Sequence, residues 1–196
     1  MKFAGGPIVT DTRPEEATIT EEALLRAAQA GDRLAMSRLL APHQPSLYSL
    51  CRGMLGQAED AEDAVQETFY RAIRALPQFR PAATVHTWLF RIAMNVCLDW
   101  RQNRRRTVSL DIIGGECLAA NSVAATILTR VQLDQALAEL LPRHRAIFLL
   151  REEQGWSVEE IAVTLHCTQR RVNNELYKAR RTLKEWAQRQ EQEGIA

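Results

Sequence analysis

Six of the nine residues from Glu59 to Glu67 end in a carboxylate or an amide: Glu59, Asp60, Glu62, Asp63, Gln66 and Glu67. Such a run suits three kinds of chemistry. Converging oxygens can hold a divalent cation. Acidic side chains at the start of a helix complement its dipole and stay solvated. An acidic face can also dock a basic partner. The run by itself leaves all three open. A metal-dependent nuclease would be the enzyme class to consider, yet no His or Lys stands at catalytic spacing from these carboxylates.

A second set lies further on. In a helix, Trp88, Arg91, Asn95, Asp99 and Gln102 fall within about 80° of arc. The basic residues Arg101, Arg104, Arg105 and Arg106 continue it. An aromatic, amides and arginines on one face suit single-stranded DNA, because bases stack on the ring and arginine holds phosphates. Alternatively, Trp88 only edges a core.

The third set is near the C-terminus. Ser157 and Glu160 have the S-x-x-E spacing of a capping box, and Ile161, Ala162 and Leu165 give a short apolar face. A few polar residues lead into a helix from about Thr168, where Val172, Leu176, Ala179, Leu183 and Trp186 form one stripe. The opposite side carries Arg170, Asn174, Tyr177, Lys178 and Arg181, beside Arg171. Arg and Asn form bidentate contacts with guanine and adenine edges, while Lys and Tyr hold phosphates. Residues 168–189 hold seven basic and two acidic side chains, a local excess of five. Short helix, tight turn and basic second helix together read as a DNA-binding helix-turn-helix. The plainer alternative is an amphipathic helix with a solvated basic face.

These sets need helices to carry them. Helical spacing begins after Thr20, a candidate N-cap, and breaks at Gly31-Asp32. A third helix is expected from about Ser46 to Leu55. Residues 58–76 place Ala61, Val65, Phe69, Ala72, Ile73 and Leu76 on one stripe. Residues 84–102 do the same with Val85, Leu89, Ile92, Ala93, Val96 and Trp100. The prolines Pro77 and Pro81 mark a loop between them. Residues 107–127, with Gly114-Gly115, lose the pattern and read as a flexible linker. Leu133, Ala136, Leu137, Leu140 and Leu141 resume it, followed by helices at about 143–153, 157–165 and 168–188. No strand-like alternation persists. The expected fold is all-α: a tail over 1–20, one small helical domain over 21–106, the linker, and a second over 128–190.

The 196 residues carry 25 Lys+Arg against 24 Asp+Glu, so net charge names no partner and only local patches can. No apolar run approaches the roughly 20 residues that span a bilayer. The N-terminus lacks the apolar region of a secretory signal, so the cytoplasm is expected. Cys51, Cys97, Cys117 and Cys167 form no C-x-x-C pair, and neither metal nor cofactor is expected.

Three segments together resemble the extracytoplasmic-function (ECF) group of bacterial sigma factors. Residues 60–69 (DAEDAVQETF) look like that family's polymerase-docking helix. Residues 87–93 (TWLFRIA), with Asn95, Asp99 and Arg101, look like its promoter-melting helix. Residues 141–148 (LPRHRAIF) and 156–162 (WSVEEIA) look like the start of its second DNA-binding domain. The resemblance implies that Asp60, Asp63, Gln66 and Glu67 face the clamp helices of the largest polymerase subunit, with the flap as a further contact. It implies that the loop 77–86, including Phe79, Arg80 and His86, captures a base flipped from the minus-ten element. Trp88, Arg91, Asn95, Arg101, Arg104 and Arg105 would contact the same element. Arg170, Arg171, Asn174, Tyr177, Lys178 and Arg181 would read the minus-thirty-five element. Control by an anti-sigma factor is implied as well.

Departures from the family pattern are Arg170-Arg171, where it usually has Gly-Thr, and Asn173-Asn174-Glu175, where it tends to Lys-Ser-Arg. Glu175 is expected towards the flank of the buried stripe, away from the reading face. The competing reading is a stand-alone helix-turn-helix regulator, which would not need residues 58–106 in this arrangement.

Overall fold

The computed structural model describes the backbone of residues 20–80, 84–108 and 124–193, and side chains over 20–80, 84–102 and 131–192. The described residues form nine α-helices: α1 (Glu21–Gln29), α2 (Arg33–Leu40), α3 (Gln44–Leu55), α4 (Ala58–Ala75), α5 (Val85–Val108), α6 (Ala124–Ala138), α7 (Pro142–Phe148), α8 (Val158–Thr164) and α9 (Gln169–Glu193). The expected segment 1–20 lies outside the described residues apart from Thr20, as does most of the linker.

Local chemistry sets the helix ends. Thr20 caps α1, its hydroxyl accepting from Ala23 N at 3.3 Å. Asp32 caps α2 by accepting from Leu34 N and Ala35 N. Gly56, at φ 84°, ends α3 in the left-handed region that glycine adopts without a Cβ clash. Pro142 opens α7, where its missing N–H costs nothing. Ser157 and Glu160 form the capping box in full, each side chain meeting the other's backbone N–H.

Helices α3, α4 and α5 pack around Leu47, Leu50, Met54, Ala61, Val65, Leu89, Ala93 and Val96, closed at one end by α1 and α2. The second group, α6 to α9, packs around Leu137, Leu140, Ile147, Leu150, Ile161, Val172, Leu176 and Ala179. The two groups share one continuous apolar core.

Four expectations differ from the structure. The helix expected over 143–153 is α-helical only to Phe148, then widens into a π turn at Leu149–Glu153, with Gln154 N donating to Leu149 O. Helix α6 starts at Ala124, inside the expected linker, because alanines favour helix without leaving an apolar stripe to detect. Ile73, Leu133 and Leu141 fall on the apolar stripes by spacing but are 41%, 47% and 59% exposed. Ile73 is one 100° step past Ala72, where the inward face of α4 ends. Phe90 and Cys97, which lie off the expected α5 stripe, are fully buried. Helix α5 is covered on more than one side, since α3, α4, α7 and α8 all touch it.

Candidate polymerase and nucleic-acid interface

Helix α4 places Ala61, Ala64, Val65, Thr68 and Ala72 inward, so Glu59, Glu62, Asp63 and Gln66 face solvent while Asp60 and Glu67 are partly buried. Glu67 Oε1 accepts from Arg71 Nε at 2.7 Å, and Arg71 Nη1 reaches Asp99 of α5 at 3.2 Å. These hydrogen bonds, with Glu67 first and Asp99 second, raise the Arg71 pKa. The bridge fixes α4 against α5, and ties the acidic face to the stripe beside it. An open cleft of about 530 Å³ adjoins that face, lined by Gln44, Pro45, Tyr48, Glu62, Gln66 and Phe69. Among the described residues, no three His, Cys, Asp or Glu side chains converge as metal ligands.

On α5, the half-buried Trp88 ring lies 4.6 Å from the ring of Phe79. Phe79 is itself buried, and Gln29 of α1 donates to its carbonyl at 2.8 Å and to that of Leu76 at 3.1 Å. One amide thus pins the loop that follows α4. Arg80 is exposed, and residues 81–83 lie outside the described residues. His86 is half-buried, its Nδ1 3.4 Å from Nδ1 of His43 and its ring 4.4 Å from Phe90. Desolvation lowers the pKa of both histidines, and for His43 the charge of His86 adds to the effect.

The other α5 residues divide. Asn95 is exposed. Arg91 Nη2 donates to Val163 O of α8 at 3.4 Å, and Arg101 Nη1 donates to Met54 O at 2.7 Å. The side chains of Arg104 and Arg105 lie outside the described residues, although the α5 backbone runs through both. Trp88 and Asn95 therefore share a solvent-facing side, while Arg91 and Arg101 point into protein.

The α8–α9 unit turns through Leu165-His166-Cys167, with His166 in the left-handed region at φ 48°. Thr168 Oγ1 accepts from Arg171 N at 3.2 Å and starts α9. Val172, Leu176 and Ala179 are buried, and Arg170, Arg171, Asn174, Tyr177, Lys178 and Arg181 all lie on the exposed side. Arg181 pairs with Glu185 at 2.8 Å, so its charge is partly committed within the helix. Glu175 turns to the flank and meets His144 of α7 at 2.6 Å.

Sequence reading missed Gln29, Arg71, Arg145, which donates from α7 to Met54 O at 2.9 Å, and the His144–Glu175 pair. Only the last had a signal, since Glu175 sits off the reading face by helical spacing alone.

The family model for Sigma-70 region 2 matches residues 39–107, and that for Sigma-70 region 4 matches residues 130–183. These ranges hold the α4–α5 and α8–α9 features respectively. The chain is 32% identical over 162 residues to the ECF RNA polymerase sigma factor SigM of Mycobacterium tuberculosis, covering 82% of this chain and 81% of that protein. It is 32% identical over 178 residues to the ECF RNA polymerase sigma-E factor of Escherichia coli, covering 84% and 93%. Against the M. tuberculosis factor SigG it is also 32% identical, but spans only 46% of that relative's length. The chain belongs to the ECF RNA polymerase sigma factors.

Two solved structures are similar. CnrH, in complex with the cytosolic domain of CnrY, aligns with a TM-score of 0.68 at 26% identity, covering 86% of this chain and 97% of that one. The sigma factor RpoE of Bartonella quintana, in complex with the anti-sigma factor NepR, aligns at 0.65 and 22% identity, over 78% and 96%, and shares the fold. No helix among the described residues is long and apolar enough to cross a membrane.

Proposed function

We propose that this chain binds core RNA polymerase through the acidic face of α4, melts the minus-ten element with the exposed side of α5, and reads the minus-thirty-five element with α9. One observation carries this reading. The acidic α4 face and the Trp88 stripe are bolted together by Arg71, on the same chain as a helix-turn-helix with an exposed basic reading face. A regulator binding duplex DNA alone has no use for the first two. The chain itself performs no catalysis in this reading, works in the cytoplasm beside the polymerase, and is held in check by an anti-sigma factor, as the partners of similar structures support.

Transcription from host promoters by purified core polymerase, with and without the chain, tests this. Promoter-dependent transcripts should appear only with the chain. Asp63→Ala with Gln66→Ala should lower core affinity at least tenfold with helicity unchanged, since both side chains are exposed and outside the core. Tight duplex binding by the chain alone, with no transcripts from core polymerase, would establish the stand-alone regulator instead.

A further inference from the structure

Two of the departures from the family pattern in α9 meet each other. The basic residue usual at position 175 is here Glu175, and the threonine usual at 171 is here Arg171. A positive charge has in effect moved one turn towards the start of the helix. Residues four apart share a helix face, and Glu175 Oε1 lies 3.6 Å from Arg171 Nε. The other carboxylate oxygen, Oε2, is held by His144 Nε2 of α7 at 2.6 Å. The side chains of His144 and Glu175 are each 12% exposed, whereas that of Arg171 is 57% exposed. Helix α7 packs on α9, so the carboxylate is fixed from behind and presents its free side to the guanidinium.

This arrangement assigns different work to the two residues. A free carboxylate on a reading helix can accept from the amino group of cytosine, but both oxygens of Glu175 are already engaged. Arg171 is engaged only at Nε, and neither Nη1 nor Nη2 makes a hydrogen bond among the described residues. Those two groups form the planar fork that matches O6 and N7 of guanine. Arg171 is also well placed along the chain. It is the third residue of α9, its backbone N–H donates to the Thr168 cap, and the N-terminal residues of a second helix-turn-helix helix are those that meet base edges. A guanidinium already held on one side loses less freedom on binding. The other cations of the face lack this combination. Arg170 has no ion pair among the described residues, Lys178 carries a point charge suited to phosphate, and Arg181 is paired with Glu185 farther along α9.

We propose that Arg171 determines a guanine in the upstream element this chain prefers, and that His144 and Glu175 are positioning residues that aim its fork. The three side chains form one relay from α7 to the reading face, with the base contact made only by the last. The proposal rests on the reading of α9 as the minus-thirty-five helix given above. It makes the promoter preference of this chain differ from that of relatives with threonine at this position, because a threonine hydroxyl cannot bridge two acceptors on one base edge.

Selection from a duplex library tests this. The full chain, alone and with core polymerase, binds fragments of a host promoter randomised across the minus-thirty-five element, and the bound fraction is sequenced. Wild type should enrich guanine about tenfold or more at one position, the discrimination of a good bidentate contact. Arg171→Ala should erase that preference while preferences at other positions remain. Arg171→Lys should do nearly the same, since an ammonium lacks the fork. Glu175→Gln keeps the shape and removes the charge, and should cut the preference about threefold, within the range of one ion pair at a protein surface. His144→Gln, whose amide can still donate to Glu175, should retain the preference, whereas His144→Ala should lower it as Glu175→Gln does. Affinity for the unselected library should be alike for wild type, Glu175→Gln and both His144 variants. A purely structural role would instead weaken binding to every sequence together. Guanine preference that survives Arg171→Ala overturns the proposal, and so does a wild type without any. Full preference in both Glu175→Gln and His144→Ala overturns the positioning role. Transcription by wild type with core polymerase is run alongside. Its failure would overturn the sigma reading, whereas selection by the chain alone bears on Arg171.

Discussion

Glu175 Oε2 lies 2.6 Å from His144 Nε2, both side chains are largely buried, and the pair binds the reading helix α9 to α7. An acidic residue inside a DNA-reading helix would repel phosphates if it faced them. Here the Glu175 carboxylate is turned inward and also draws Arg171 to 3.6 Å. Glu175→Ala should therefore destabilise the protein by about 1.5–3 kcal/mol, the range for a hydrogen bond to a charged group. It should leave the salt dependence of duplex binding unchanged. Lys178→Ala, by contrast, should leave stability unchanged and lower the salt slope by about one. Thermal melting beside DNA titrations at several salt concentrations checks both. Tighter DNA binding by Glu175→Ala with unchanged melting would mean that the carboxylate faces DNA after all.

Gln29 is a positioning residue. Its amide holds Leu76 O and Phe79 O, and Phe79 in turn packs at a tilt against Trp88. Gln29→Leu keeps the side-chain bulk and removes both hydrogen bonds, so the helices should form while the platform loosens. Open complexes, read as permanganate reactivity of unpaired thymines, should fall at least threefold. Closed-complex binding to duplex promoter should hardly change. Trp88→Ala should show the same split more strongly. Equal losses in both assays would make Gln29 a matter of folding alone.

The histidine pair makes stability depend on pH. His43 and His86 approach at 3.4 Å, and desolvation lowers both pKa values in the folded chain. The carboxylates of Glu21 and Glu160 oppose this weakly at His86, and its other neighbours are the uncharged rings of Phe90 and Trp156. The unfolded chain then binds more protons than the folded one just below the ordinary histidine value of about 6.5. Stability should be level above that pH and should fall as pH drops through it, levelling again below the lowered folded values. The Glu160 pKa is lowered too, chiefly by the backbone hydrogen bond at Ser157. Its contribution is lost only lower, as pH falls past the carboxylate range near 4.3. Urea unfolding at pH 7.5, 6.5 and 5.5 should show the histidine loss. His43→Phe should flatten the profile between pH 6.5 and 5.5. A wild-type curve level down to pH 5.5 would remove the histidines from the account.

Much of this protein is written in local spacing. Helix positions follow from stripes at three and four residues. Thr20, Asp32 and Ser157 announce helix starts because a cap is a contact between residues two or three apart. The exposed face of α9 and the outward set of α4 could be drawn on a helical wheel, since burying Val172, Leu176 and Ala179 leaves Arg170, Asn174 and Lys178 nowhere else to point. Other features depend on pairings between distant residues, which no spacing rule encodes. Gln29 meets Phe79 across 50 residues, and Arg145 meets Met54 across 91. Arg91 reads from sequence as DNA-facing because it shares an arc with Trp88, and Arg101 because it opens the basic run that continues that arc, yet a carbonyl from elsewhere in the chain claims each guanidinium. A helical wheel gives the direction of a side chain from its own axis. What stands in that direction depends on which helix packs alongside: α3 of the same domain for Arg101, and α8 of the second domain for Arg91.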